Sequence, residues 1–203
     1  MIQLRKHLGL LLIIGGLLLS LIPVANWGMG TYYQRLELVA MEEESPPVIA
    51  EPTDEPLELP DGLPPIKGIL EIPKIQIRAV VIHGVTKEDL KRGPGFYPQS
   101  KYPERGNVSI AAHRGVYGSW FRNVNKLDPG DEILLTLETK VYRYQVRQQF
   151  VTHSRDWSVV ASTDEPELTL TTCLFTTSTK RLIVKADLIE VTKAQVPRRL
   201  DNN

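Results

Sequence analysis

Cys173 is the single cysteine of this 203-residue chain, and Arg181 follows it by eight positions. Leu168 and Leu170 alternate with Thr169, Thr171 and Cys173, the period of a half-buried strand. That phase sets Cys173 on the polar side, away from the leucines, where a thiol is better placed as a nucleophile than as core filler. After a Thr/Ser connection over Thr176–Thr179, Arg181, Ile183 and Lys185 alternate with Leu182, Val184 and Ala186. This is a second strand with Arg181 on its polar side. Upstream, Val108, Ile110 and Ala112 alternate with Ser109, Ala111 and His113, so a histidine also ends a polar strand face. A thiol reacts as its thiolate, and a neighbouring histidine can take its proton and later give one to a leaving amine. An arginine keeps its charge and can only bind or stabilise, for example the oxyanion of a tetrahedral intermediate. Together the three types suit peptide cleavage or peptide transfer. Taken singly, each has a structural alternative: a packed histidine, a buried thiol, a surface charge.

These residues need a scaffold, and the stretch from Ile66 onward reads as short strands and turns. Gly68–Ile72 and Ile75–Ile82 are β-branched runs split by Pro73. Thr86 and Asp89 are spaced as a capping box for one helical turn, which Gly93-Pro94-Gly95 ends. Asp128-Pro129-Gly130-Asp131 is a turn, Glu132–Glu138 points Ile133, Leu135 and Leu137 inward, and Val141–Val151 is a longer strand. With the two strands around the cysteine, the second running to about Val191, roughly eight strands and little helix result. A closed or nearly closed β-barrel is the natural way to leave them without exposed edges. The fold expected is therefore mainly β, an eight-stranded barrel with short helices. The connection over 152–167 must build much of any groove beside Cys173. In it Trp157, Val159, Val160 and Ala161 are candidates for an apolar wall, or simply for packing within the loop.

The first 65 residues read differently. Leu8–Ala25 is an uncharged, largely apolar run preceded by Arg5, Lys6 and His7, with Trp27, Tyr32 and Tyr33 beyond it. A helix of ~20 such residues spans a bilayer core. Basic residues before the run orient the N-terminus to the cytoplasm and the rest outside. A cleaved signal peptide is the competing reading, and both readings export the domain. Residues 31–44 can extend as a short helix. Residues 45–65 are rich in proline and acids, the composition of a hydrated spacer able to hold a domain tens of ångströms from the membrane. The expected organisation is a cytoplasmic tail over 1–7, a transmembrane helix over 8–27, and an acidic Pro-rich stalk over 28–65. A catalytic barrel over 66–191 and a polar tail over 192–203 follow.

Residues 1–61 carry three basic side chains against nine acidic ones, whereas residues 62–203 carry 21 against 15. The mild positive excess of the barrel is compatible with anionic partners such as phospholipid headgroups, or with an ordinary solvated surface. One cysteine excludes an intrachain disulfide framework and a Cys-cluster zinc site. The four histidines are scattered, His83 and His153 have no evident partner, and no phosphate-binding glycine loop or metal-ligand cluster is visible.

The segment Thr169-Leu170-Thr171-Thr172-Cys173 followed by Arg181 resembles the TLxTC…R signature of sortases, the membrane-anchored cysteine transpeptidases of mainly Gram-positive bacteria. Ala112-His113-Arg114-Gly115 resembles the stretch around their histidine, and Gly106-Asn107-Val108 fits as well. The resemblance covers residues 66–191 and extends to the anchor and stalk. It implies that Cys173 attacks the Thr carbonyl of an LPxTG-like sorting signal on a secreted protein. His113 would then act as general acid/base, Arg181 would stabilise the oxyanion, and Thr172 would help shape the oxyanion site. The thioester would be resolved by an amine, commonly on a peptidoglycan precursor, at the outer face of the cell membrane. The short loop between Cys173 and Arg181 and the Thr171-Thr172 pair resemble class D, with class E next. A pilus-polymerising sortase is disfavoured because Asp54-Glu55-Pro56 lacks the lid aromatic and residues 192–203 are polar. The implied chemistry needs no metal and no other cofactor. Calcium activation stays open, since Glu104, Asp164, Glu165 and Glu167 lie in loops without a ligand pattern. Nucleic acid is not an expected partner. A non-catalytic, membrane-tethered barrel that binds peptides is the alternative, and it would keep its thiol buried and unreactive.

Overall fold

The structure, a computed structural model, describes residues 2–44, 67–174 and 177–194. A long helix, α1 (Ile2–Glu44), precedes eight strands: β1 (Lys67–Ile72), β2 (Ile77–His83), β3 (Gly95–Phe96), β4 (Asn107–Ala111), β5 (Glu132–Leu137), β6 (Lys140–His153), β7 (Glu167–Leu174) and β8 (Thr177–Lys193). They close into a barrel in the order β1-β2-β3-β4-β7-β8-β6-β5. One short helix, α2 (Lys87–Arg92), links β2 to β3, and three 3-10 turns occupy Pro73–Ile75, Val124–Lys126 and Trp157–Val160.

The barrel forms because alternate residues of each strand supply one apolar interior. Leu70 and Ile72, Val108 and Ile110, Ile133 and Leu135, Leu168 and Leu170, and Leu182 and Val184 meet in a single buried cluster. The capping box is present as expected, with Thr86 accepting from Asp89 N and the Asp89 carboxylate accepting from Thr86 N at 2.9 Å. The Asp128–Asp131 turn closes with Asp131 N donating to Asp128 O at 3.1 Å. Pro73 starts a 3-10 turn that separates β1 from β2 and delays the second strand to Ile77.

Two elements differ from expectation within the barrel. Gly93-Pro94-Gly95 does end the helical turn, but Gly95 also begins a two-residue strand. Strand β3 pairs parallel to β2 and antiparallel to β4, and so completes the closure. Gly95 fits there because a Cβ would overlap the Gly84 carbonyl. Most of the Thr176–Thr179 connection is strand, since β8 begins at Thr177, and β8 runs on to Lys193.

The N-terminal region also differs. The apolar run over 8–27 lies within α1, which continues through the first part of the predicted stalk to Glu44, so the helix expected over 31–44 is present as part of one longer helix. Among the described residues no helix is long and apolar enough to cross a membrane. The expected transmembrane helix is thus not found among them, and several side chains of the run lie outside the description. The Pro-rich stretch over 45–65 and the end of the polar tail lie outside the described residues too.

Candidate active site

Strand registry brings the three chemistry-bearing residues together. Strands β4 and β7 run parallel with Ala111 level with Thr171, and His113 follows the one by two residues as Cys173 follows the other. Strands β7 and β8 run antiparallel with Cys173 opposite Arg181, and Arg181 is opposite Thr152 of β6. Cys173, Arg181 and Thr152 therefore form a row across β7, β8 and β6, with His113 just past the end of β4. All four line one groove of about 260 Å³, with Tyr97 and Asp156 on its walls. Cys173 is half-buried, which suits a thiol that must be shielded yet reachable. A register slip between Cys173 and Leu174 ends regular pairing right after the cysteine.

His113 sits where β4 leaves the sheet. Ala112 N donates to Thr171 O at 3.2 Å, and Phe121 N donates back to His113 O at 3.0 Å. The His113 ring lies 5.4 Å from the Tyr117 ring, tilted by 46°. Burial without an opposing ionic contact pushes the imidazole pKa below its ordinary 6.5, so it is neutral at pH 7. The loop that follows is unusual in its backbone. Tyr117, Gly118 and Ser119 all take left-handed φ values, of 48°, 80° and 51°. Such a run in two non-glycine residues persists when the surroundings over-determine it. Arg114 contributes from within: its guanidinium is buried and donates to Asn125 Oδ1 at 2.8 Å. Nothing in the Ala112-His113-Arg114-Gly115 stretch of the sequence marked Arg114 for this stapling role.

Thr172 lines the groove, and its hydroxyl donates to Ala112 O at 2.8 Å. It ties the residue before His113 to the residue before Cys173. Of the four residues expected as an apolar wall, Trp157, Val159 and Val160 line the groove. Ala161 is not among the lining residues, and its backbone carbonyl accepts from Asn107 Nδ2 at 3.0 Å. Trp157 is 64% exposed, an apolar ring left open at the groove rim.

Residues to which the sequence assigned no role in the wall hold it in place. Asp156 caps the Trp157–Val160 turn: its carboxylate accepts from Ser158 N at 3.2 Å, from the Ser158 hydroxyl, and from Thr152 Oγ1. The hydrogen bonds from Ser158 and Thr152 keep the Asp156 carboxyl below the usual carboxylate range. Asn107 is buried, accepting from Thr169 Oγ1 at 2.7 Å while its amide reaches the wall. Thr171 shares a hydrogen bond with the Tyr97 hydroxyl at 2.9 Å. The signal for Asp156 was available in Asp156-Trp157-Ser158, since aspartate commonly caps a following turn two residues on.

Two of the acids considered for calcium are engaged elsewhere. Glu104 pairs with Lys140 at 3.0 Å, and Glu167 pairs with Lys185 at 2.6 Å and Arg147 at 3.0 Å. Among the described residues no three His, Cys, Asp or Glu side chains gather as metal ligands.

This barrel matches known proteins. The family model for the sortase domain matches residues 70–189. Sortase D of Bacillus subtilis is 35% identical over 108 residues, covering 52% of this chain and 53% of that protein. Sortase SrtE1 of Streptomyces coelicolor is 31% identical over 151 residues, covering 64% of this chain and 43% of that protein. The match thus spans about half the length of these two relatives. Among solved structures, a Clostridium perfringens sortase D5 transpeptidase superposes with a TM-score of 0.57 at 36% identity, covering 64% of this chain and 80% of the other. A Clostridium perfringens sortase C, solved with the C-terminal cell wall sorting motif, gives 0.57 at 28% identity, covering 66% and 75%. Class D and class E relatives are both represented, in line with the classes the sequence resembles. With the signature residues gathered in one groove of an eight-stranded barrel and the domain model matching most of that barrel, this chain belongs to the sortase family.

Proposed function

We propose that this protein is a membrane-anchored cysteine transpeptidase. It cleaves an LPxTG-like sorting signal and transfers the cleaved protein to a cell-wall amine. The observation that carries this reading is the convergence of His113, Cys173 and Arg181 on one groove. That the similar sortase C was solved with the C-terminal cell wall sorting motif supports the substrate class.

The chemistry follows from the row of side chains. Neutral His113 takes the proton of the Cys173 thiol, and the thiolate sulfur attacks the scissile carbonyl carbon. The carbonyl electrons move to oxygen, and the resulting oxyanion is met by the Arg181 guanidinium across the strand pair. Collapse re-forms the carbonyl and breaks the C–N bond as the imidazolium gives its proton to the departing amine. A thioester remains. An incoming amine then loses a proton to His113, attacks the thioester carbon, and expels the Cys173 sulfur, which recovers the proton. Bonds and protons balance, and no metal or other cofactor enters.

The apolar wall of Trp157, Val159 and Val160 receives the Leu-Pro part of the signal in this reading. Residues 8–27 anchor the chain in the cell membrane with the N-terminus cytoplasmic and the barrel outside. Cargo is a secreted protein, and the acceptor is an amine of a peptidoglycan precursor. Incubating the full chain in detergent with an LPxTG- or LPxTA-type peptide and an amine is expected to give the amine adduct by mass analysis. Cys173→Ala is expected to abolish it. A folded protein that yields no adduct over a broad peptide panel overturns the proposal, and free acid in place of adduct indicates a hydrolase. The peptide-binding alternative requires an unreactive thiol. Rapid labelling of the half-buried Cys173 by a methanethiosulfonate counts against it.

A further inference from the structure

The second half of α1 is not a free helix. Gly30, Gln34 and Glu37 are all buried, and the spacing i, i+4, i+7 puts them on one helical face. Gln34 Nε2 donates to Val80 O at 3.0 Å while Gln34 Oε1 accepts from Val80 N at 2.8 Å. The carboxamide thus pairs with β2 as a neighbouring strand would, on a strand whose partner β3 is two residues long. Gln34 Nε2 also donates to Arg92 O at the end of α2. Gly93 leaves room for it, since a Cβ there would collide with the Gln34 amide. Glu37 bridges Arg92 and Lys67. One turn towards the N-terminus, the Gly30 backbone rests on the Tyr117–Gly118 peptide. A Cβ on Gly30 would overlap the Tyr117 carbonyl carbon and fall 2.5 Å from Gly118 N.

The Tyr117–Gly118 peptide is the left-handed part of the loop whose Tyr117 ring faces His113. A strained loop needs outside support, and α1 presses on it at the strained point. We propose that Gly30 and Gln34 of α1 are positioning residues for His113, acting through the backbone and ring of Tyr117. The helix before the linker is then a working part of the catalytic unit. This rests on the transpeptidase reading for the role of His113, while the docking itself does not.

The test uses the full chain in detergent and the peptide-plus-amine assay. Gly30→Leu wedges the helix away from Tyr117–Gly118, and Gln34→Ala removes the bonds to β2 without adding bulk. Gly28→Leu is the control, because a Cβ at Gly28 meets nothing within 4 Å. Gly30→Leu is expected to lower kcat about tenfold to a hundredfold, as a misplaced catalytic group does, with KM for the peptide held. Amide exchange should quicken over residues 116–122 and not in β5 or β6. Gln34→Ala should move both readouts the same way, by less, and decides the matter should Gly30→Leu not fold. Gly28→Leu should change neither. Wild-type kcat with wild-type exchange over 116–122 in both variants overturns the proposal, as does faster exchange spread evenly over the barrel. A wild-type protein with no transfer product would instead sink the transpeptidase reading, and local exchange would still report whether α1 supports the loop.

Discussion

His113 carries the sharpest residue-level consequence. As the base towards Cys173 it must be neutral, so activity falls as pH drops through its pKa and the imidazolium forms. Burial holds that pKa below 6.5, so the acid limb of the kcat/KM profile is expected below 6.5 and the plateau to extend lower than for an exposed histidine. Tyr117→Ala opens one face of the ring to water. It should move the limb up towards 6.5, as read from initial rates between pH 4.5 and 9. A limb at or above 6.5 in the unaltered protein would contradict this account. The acids make a second statement at this scale. Glu104 and Glu167 are committed to ion pairs, so EDTA and added calcium are expected to leave the transfer rate within about twofold, the scatter of an unperturbed transition-state barrier. A larger calcium activation would show that those pairs rearrange.

At the scale of elements, the groove wall is preorganised by its own capping. Asp156 holds the Trp157–Val160 turn through Ser158 and ties it to Thr152, which lies opposite Arg181. Asp156→Ala leaves Cys173 and His113 in place and loosens the wall that receives substrate. KM for the peptide should rise several-fold with kcat nearly unchanged, the signature of lost uniform binding. Equal loss in kcat would mean the turn acts on Arg181 as well. These elements also show what the sequence could and could not reveal. Alternation over Leu168–Cys173 gave the correct inward leucines, whereas the parallel pairing of β4 with β7 was not legible from spacing. The same alternation put Thr169 and Thr171 on the polar side with Cys173, and they are buried. Polarity gives the face, not what covers it, and here Asn107, Tyr97 and the wall segment cover it. Strand β3 was missed because two residues carry no period. The docking face of α1 was missed because it is polar. Gly30, Gln34 and Glu37 give no apolar stripe, although a buried glutamine can replace a strand partner when both its amide atoms are bonded.

At the scale of the whole molecule, the proposed anchoring makes α1 the element that sets how far the barrel stands from a membrane. Composition alone made residues 45–65 a spacer able to hold the barrel tens of ångströms from the membrane, after a short helix over 31–44. In the structure α1 continues past the apolar run to Glu44, and its Gly30–Glu37 face is docked on the barrel. Gly30 lies five residues beyond Ala25, about 8 Å along a helix. With the anchor proposed here, the Tyr117 loop, against which Gly30 rests, sits near the headgroups. Val116 in that loop is 41% exposed and can report on this. Val116→Cys in a Cys173→Ala background gives one thiol for a fluorophore. In vesicles carrying a nitroxide on the lipid headgroup, its emission should be strongly quenched. A label on a barrel carried on an extended stalk would be beyond the quencher and keep its full emission. Adding Gly30→Leu should release the loop from α1 and reduce the quenching. This separates a barrel clamped at the surface by its helix from one kept there by lipid contacts of its own.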